Sequence, residues 1–519
     1  HYNMSCSDLS PTSVVTDVES QGGIVDNDDT LEPQNQPVPL MVGQCPSIFT
    51  LSASDKDFIR RCVDVVVGVC ILYGFDDTGY SKKGTYDHWL KCATLWGNPM
   101  KFVKYKLAAF FAAHITPDEP QDLPPSELPP NVDIPSCILS GRGYAWLRVL
   151  KRTANWNSFL CSILYSKKGM PRPDKIALKA AELATFRKLT KPRPSYPAHW
   201  VKPWADIRDS SPVEYHVSPP SLEAEIRRTV REIYSGLVFD EEREMSRPRF
   251  PSTSANYINS RSGGGAVGTI LTEDGLINSE HLGDLKVGYN LLSIQEGASL
   301  QGPSVSVIDT ALNGKFKQLK TRLVVGAFQE EPIAIPLALP EALKTRVITK
   351  GPPLLMTVLK PLQQFLRRHL SDHPMFSLTG QTITAEYIQS RIGKRLSVGE
   401  KFLSVDYSDA TNEIHSWCSE VAADELSSTL GLSGGLRELL HRSLTGHTLE
   451  YEGEQLPQET GQLMGSVTSF IFLCLVNASI CRWALELSSD KKILLKDCLC
   501  AINGDDAVLR ISSFGKLCW

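Results

Sequence analysis

Lys496-Asp497-Cys498-Leu499-Cys500-Ala501-Ile502-Asn503-Gly504-Asp505-Asp506-Ala507-Val508-Leu509-Arg510-Ile511 holds two apolar runs on either side of Asn503-Gly504. Asn-Gly between alternating apolar residues signals a hairpin, because both central positions of a type I′ turn need positive φ. This reading puts Asp505 and Asp506 at or just after the tip of a tight β-hairpin. Two like charges there repel each other unless something cationic compensates them. A divalent metal with oxygen ligands is the natural candidate. A solvated turn that happens to contain two Asp is the plain alternative.

Three segments upstream change the weight of that turn. Leu339-Pro340-Glu341-Ala342-Leu343-Lys344-Thr345-Arg346-Val347-Ile348-Thr349-Lys350-Gly351-Pro352 reads as a strand with Lys344, Arg346 and Lys350 on one face and Val347 and Thr349 on the other. Three cations on one face suit a triphosphate clamp; the alternative is an exposed edge strand guarded by charge. Lys401-Phe402-Leu403-Ser404-Val405-Asp406-Tyr407-Ser408-Asp409-Ala410-Thr411-Asn412 reads as an apolar strand ending in an acid, then a helix near Glu413. A carboxylate at the end of a buried strand is a rigid place for a metal site. The alternative is a helix N-cap, which suits Asp409 better than Asp406. Thr460-Gly461-Gln462-Leu463-Met464-Gly465-Ser466-Val467-Thr468-Ser469-Phe470 reads as a glycine-hinged loop opening a long apolar helix to about Leu487. Gly465 and the small hydroxyls allow close approach to a sugar–phosphate backbone; a core helix capped by Ser466 or Thr468 is the alternative. Taken in order, the segments supply a phosphate clamp and two separated metal-binding carboxylates with a substrate loop between them. In-line nucleotidyl transfer through two metals needs that set.

Composition sets outer bounds. The 519 residues suggest two to four structural units, and 42% hydrophobic with 22% charged residues are values of a soluble globular protein. A net charge of −4 argues against a uniformly basic nucleic-acid binder. The 13 cysteines are scattered with no paired C-x-x-C set, so a zinc site is not expected and a reducing compartment is the default. The longest apolar run, Phe470 to Val476, continues only to Arg482, so no integral membrane segment is expected. The acidic N-terminus carries neither a secretory signal nor a mitochondrial presequence.

Residues 1–47 read as a disordered acidic tail, 48–115 as a helical unit with Ser54 as the N-cap of its first helix, and 116–136 as a proline-rich acidic linker. Residues 137–335 read as an N-terminal or fingers region, and 336–519 carry the segments above. Within the third part the balance turns basic from Tyr165 to Lys202, with a helix over Lys175–Leu189. This is either an electrostatic track for phosphates or a solvated helix face. In Ser252–Gly268, glycines such as Gly264 can turn backbone amides onto an anion, and Arg261 can close over it; a flexible loop is the alternative.

The order and wording of these segments resemble motifs F, A, B and C of viral RNA-dependent RNA polymerases, in the ourmia-like (botourmiavirus) branch near the narnaviruses and leviviruses. The matching residues are 343–351, Ser404–Thr411, Gly461–Ser466, Ser469-Phe470 and Asn503–Asp506, with 376–381 and 252–268 also similar. The resemblance implies an α+β, right-hand polymerase fold with an antiparallel palm sheet and helical fingers, the thumb largely absent from this chain.

It also implies an RNA-directed RNA polymerase copying a positive-strand viral genome, with RNA template and product and NTPs as partners. Asp406 and Asp505 would hold two Mg2+ ions, or Mn2+ as a substitute, assisted by Asp506. Lys344, Arg346 and Lys350 would neutralise the triphosphate. Asp409, Asn412, Ser466, Thr468 and Ser469 would contact the nucleotide, and Arg261, Gly264 and Gly465 the RNA. Asn412 stands where the family has Asp, and it can hydrogen-bond a ribose 2′-hydroxyl without bringing charge. Phe470 stands where many relatives have Asn. Motif D, motif E and the thumb would follow Trp519, so the 519-residue chain alone is expected to be poorly active or inactive. The implied setting is the cytoplasm of a fungal or plant host. A reverse transcriptase and a catalytically inactive, polymerase-like RNA-binding protein are the competing readings.

Overall fold

Ser52 starts the first helix, α1 (Ala53–Leu72), and not Ser54. Its Oγ accepts from Asp55 N at 3.1 Å, while the Asp55 carboxylate accepts from Ser52 N at 3.0 Å. This reciprocal capping box satisfies two otherwise orphaned donors. The acid three residues beyond Ser54, Asp57, pairs instead with Arg60 and Arg61. The computed structural model describes residues 49–76, 80–96, 98–115, 137–192, 222–246, 251–273, 320–405, 407 and 409–519. The expected tail and the proline-rich stretch lie outside them.

Two compact units emerge, the first from residues up to Pro173 together with Pro340–Thr345. Here α1 buries Ile59, Cys62, Val63, Val66, Val67 and Cys70, a stripe at helical spacing. It packs with α2 (Tyr80–Trp96), α3 (Pro99–Ile115) and α5 (Trp156–Ser166), and α4 (Arg142–Leu150) adds Leu147 and Leu150 to the same core. One core holds Trp89, Phe102 and Phe110 with Leu147 and Phe159, so the core of the first three helices continues beyond the proline-rich stretch. Leu343, at the β-turn of residues 342–343, is buried in the same core, and its N–H donates to Pro171 O at 3.2 Å.

The second unit contains α6 (Lys175–Leu189), whose observed bounds match those read from the sequence. Its further helices are α7 (Leu222–Tyr234), α8 (Glu241–Ser246), α9 (Gly265–Glu273), α10 (Pro353–Val358), α11 (Lys360–Asp372), α12 (Ala385–Ile392), α13 (Ala410–Glu413), α14 (Ser416–Leu430), α15 (Gly434–Leu444), α16 (Ser469–Ser489) and α17 (Ser513–Cys518). Strands β1 (Ile333–Glu341), β2 (Lys344–Lys350), β4 (Thr448–Tyr451) and β5 (Glu454–Pro457) form one sheet in the order β2-β1-β4-β5. Strands β3 (Glu400–Val405), β6 (Cys500–Asn503) and β7 (Asp506–Ser512) form a second, antiparallel sheet in the order β3-β7-β6. Segregated helices and mainly antiparallel strands make this an α+β unit.

Helix α16 runs through its core. It is long and apolar enough to cross a membrane by length and composition, contrary to the sequence expectation, but 83% of its apolar window is buried inside the protein. Arg482, where the run was expected to stop, is fully buried. Its guanidinium donates to Glu225 at 3.1 Å, Glu232 at 2.7 Å and Thr229 Oγ1 at 3.0 Å. Arg228 and Lys492 complete the set by pairing with Glu486 at 2.6 and 3.0 Å. Three carboxylates thus face three cations, which is how a charge is kept at such a depth.

Candidate active site

The hairpin forms, but its turn lies one residue later than the sequence suggests. Asn503 pairs with Asp506, leaving Gly504 and Asp505 as the central residues. Gly504 has φ +72°, and Asp505 is not among the described non-glycine residues of positive φ. Positive φ at the first central position alone is the type II′ pattern, which wants glycine there. Asp505 is half-buried at the tip and Asp506 is exposed.

Helix α16 grips this turn with three side chains on one stripe. The Gly504 N–H donates to Cys474 Sγ at 3.3 Å. Asn477 Nδ2 donates to the carbonyls of Gly504 at 3.0 Å and Asp505 at 3.3 Å. The Phe470 ring lies 3.0 Å from where a Cβ on Gly504 would sit, so a larger residue would have to displace it. Asn477 Oδ1 accepts from the Tyr407 hydroxyl at 3.3 Å. Burial, with Asp505 among the nearby groups, pushes the Tyr407 phenol well above its ordinary value. Burial and Asp505 likewise push the Cys474 thiol up to about 12, against the bond from Gly504. No cation pairs with the Asp505 carboxylate among the described residues.

Asp406 itself lies outside the described residues. Its predecessor Val405 pairs with Ala507, the residue after Asp506, in the β3–β7 ladder. Further along, Asp409 occupies the N-cap position of α13 without capping it. Its carboxylate accepts instead from Lys188 Nζ at 2.5 Å and from Asn412 Nδ2 at 2.6 Å. Lys188 also pairs with Glu413. Burial alone would lower the Lys188 pKa, but the two carboxylates hold it above its ordinary value. Lys188 thus belongs to an ion-paired cluster.

Loop 460–468 ties these parts together. Gly461 N donates to Ile414 O at 2.8 Å and Gln462 N to Thr411 O at 2.6 Å. Gly465 N donates to Thr349 Oγ1 at 3.1 Å, and a Cβ at 465 would lie 1.8 Å from Thr349 O, so only glycine lets the loop lie on β2. The three hydroxyls expected at the nucleotide point inward. Ser466 Oγ donates to Ser443 O at 2.7 Å, Thr468 Oγ1 shares a 2.9 Å bond with Ser443 Oγ, and Ser469 Oγ donates to Leu463 O at 2.8 Å. Thr468 is the N-cap of α16 by position, but neither it nor Ser466 caps through its side chain. All three are buried, so their hydroxyls shape the loop.

His447 and Gln458 brace the same loop. Gln458 donates to Leu444 O at 3.1 Å and Gly461 O at 2.9 Å, so its Oε1 accepts from His447 Nδ1 at 3.1 Å. Burial draws the His447 imidazole down to about 4, and burial does the same to His373. Unfolded, each titrates near 6.5. The unfolded chain therefore takes up protons first as pH falls, and the stability these neutral rings provide is complete above pH 6.5 and lost progressively toward pH 4. Between pH 7 and pH 5, unfolding free energy is expected to fall by about 2 kcal/mol through His447 alone. Urea denaturation of wild type and His447→Leu at both pH values checks this, since the variant should lose that share of the pH dependence.

The expected cationic strand exists as β2. Arg346 is exposed, Lys344 and Lys350 are half-buried, and Thr349 faces inward, as the alternation predicts. Lys344 falls with residues 340–345 in the N-terminal unit, whereas Arg346 and Lys350 belong to the second. Tyr257 N donates to Gly351 O at 3.3 Å, bringing the Ser252–Gly268 stretch to the end of β2. Its glycines serve packing and do not offer an amide cradle. Gly264 N donates to Arg261 O and Gly265 N to Ser260 O, and a Cβ on Gly265 would lie 2.3 Å from Ser254 O. Arg261 is exposed.

The four sequence segments are therefore brought together: β2 and the segment after β3 meet the glycine loop, and the loop's helix holds the hairpin turn. No protein-family model matches the chain. It is 27% identical over 414 residues to the RNA-dependent RNA polymerase of Ourmia melon virus (isolate Melon/Iran/VE9). The chain is a relative of an ourmia-like viral RNA-dependent RNA polymerase. The match takes in 74% of this chain and 45% of the polymerase from that virus, so the chain spans about half of its relative. Three residues of this polymerase relative were not visible from its motifs. Cys474 and Asn477 lie in the apolar run itself, where Asn477 reads only as an interruption. Lys188 is one cation of a basic segment, and its partner Asp409 is 221 residues away.

Proposed function

We propose that the chain carries the catalytic palm of an RNA-directed RNA polymerase that copies a positive-strand viral genome by two-metal nucleotidyl transfer. The observation that carries this reading is the hairpin ladder: Val405 pairs with Ala507, while Asn477 and Cys474 fix the turn that bears Asp505. A half-buried carboxylate with no cationic partner among the described residues, beside a second carboxylate, is a donor set that suits Mg2+. Among the described residues no group of three His, Cys, Asp or Glu could hold a metal; Asp406, the remaining expected ligand, lies outside them. Bound by Asp406 and Asp505, with Asp506 assisting, two Mg2+ ions would favour ionisation of a primer 3′-hydroxyl and offset charge on the leaving pyrophosphate.

The chain's own residues supply position and charge. Arg346 and Lys350 sit on the strand that Gly465 touches through Thr349 and are suited to the triphosphate of an incoming NTP. Asp409 and Asn412 lie at the start of and within the short helix that follows the catalytic strand and are suited to the ribose. The inward hydroxyls of Ser466, Thr468 and Ser469 support loop geometry, which leaves the loop backbone to face RNA. The test is single-nucleotide extension of a primed RNA template by the full-length protein with Mg2+. Preferential incorporation of NTP is expected. Preferential incorporation of dNTP would favour a reverse transcriptase, and RNA binding without incorporation an inactive relative.

A further inference from the structure

We propose that Lys188, outside every recognised polymerase segment, is a positioning residue for ribose recognition; the proposal rests on the polymerase reading above. Its ammonium pairs with Asp409 at 2.5 Å and with Glu413, which brackets α13 from both ends. The other oxygen of Asp409 accepts from Asn412 Nδ2 at 2.6 Å. A carboxylate can only accept, so this bond sets the orientation of the Asn412 amide. Its NH2 group faces Asp409, and its carbonyl oxygen is left as an acceptor that no donor among the described residues engages. A ribose 2′-hydroxyl is a donor of the right kind for that oxygen, and a 2′-deoxyribose lacks it.

The end of α6 is fixed well enough to serve as the anchor. Leu189 is buried, and its carbonyl accepts from Glu459 N at 2.9 Å and Thr460 N at 3.3 Å. The Leu189 side chain lies 2.6 Å from where a Cβ on Gly461 would sit. Two consecutive residues of α6 therefore hold both sides of the nucleotide site: Lys188 grips the segment after β3, and Leu189 grips the start of the glycine loop. The pair is about one-third exposed, with Lys188 at 35% and Asp409 at 31%, so it is open enough to lie beside a substrate. Its contribution to overall stability is correspondingly small. Unlike a free lysine on a phosphate track, Lys188 has its charge already committed to two carboxylates.

The experiment measures kcat/KM for ATP and for 2′-deoxy-ATP on one primed RNA template with the full-length protein. Lys188→Met is expected to lower the ribo-to-deoxyribo ratio by about tenfold or more, through a higher KM for ATP. Lys188→Arg should restore most of the ratio. Asp409→Asn should lower it similarly, and the double variant should show little further loss, as members of one chain do. An equal rise in KM for both nucleotides would overturn the proposal and make Lys188 a triphosphate ligand. An unchanged ratio in Lys188→Met, with wild type active, would overturn it while leaving the polymerase reading intact. Wild-type protein that incorporates neither nucleotide would overturn both. Thermal melting of Lys188→Met, expected within a few degrees of wild type, separates a positioning effect from misfolding.

Discussion

Asp505→Asn is expected to reduce nucleotide incorporation at least about 10³-fold while leaving the protein as stable as wild type or slightly more so. The two expectations share one cause. Asp505 places a carboxylate beside the buried Tyr407 phenol and Cys474 thiol, both of which it helps to push up, with no cation paired to it among the described residues. Such a charge costs stability unless a metal compensates it. Asparagine keeps the shape, and the contacts that fix the turn run to the backbone, through Asn477 and Cys474, so they survive the change. Loss of activity with retained or raised melting temperature is the pattern of a residue kept for chemistry. Single-nucleotide extension and thermal melting of both proteins decide it. Full activity in Asp505→Asn would remove the carboxylate from the mechanism, and a large drop in melting temperature would make its role structural. Asp506→Asn should cost less, since Asp506 is exposed and expected to assist.

Arg482→Leu should be the most destabilising single change at a site remote from the chemistry, by about 3–5 kcal/mol. Removing the guanidinium strands Glu225, which is 1% exposed, with only Lys492 and Arg228 at its edge. Glu232 loses a 2.7 Å partner, and the Glu225 carbonyl and Thr229 hydroxyl lose donors. The penalty is that of an uncompensated buried charge and greatly exceeds the net worth of the ion pair. Arg510→Leu offers the contrast. Its pairing with Glu400 joins the central strand β7 to the outer strand β3 and is partly solvated, so a much smaller loss is expected. Urea midpoints of the two variants would check the difference, and equal losses would count against the buried network as the source.

Local rules made much of this architecture legible. The hairpin, the strand ending before Asp406, the glycine loop and the α6 bounds follow from periodicity and turn chemistry. The misses have identifiable physical causes. Two serines compete to start α1, each with an acid three residues on, but Asp57 is drawn to Arg60 and Arg61 and only Asp55 reaches back to its serine. Asn-Gly favours type I′, but Cys474 and Asn477 hold a turn centred one residue later, so tertiary contacts override the dipeptide preference. Arg482 looked like the end of an apolar run because its neutralising acids, Glu225 and Glu232, lie 257 and 250 residues away. The same distance problem hid the pairing of Lys188 with Asp409. Ser466, Thr468 and Ser469 looked like substrate hydroxyls because composition reports residue type and not direction.

A two-residue turn at the edge of a sheet is ordinarily among the first places to open, and its amides exchange with solvent through local fluctuation. The Gly504 amide is instead bonded to Cys474 on the helix that also carries Arg482. Deuterium uptake at Gly504 should therefore follow the slow kinetics of the interior of α16, not those of a surface loop. The Gly504 amide, buried and bonded in this way, exchanges only when the unit as a whole unfolds, although the carboxylates on the same turn face solvent.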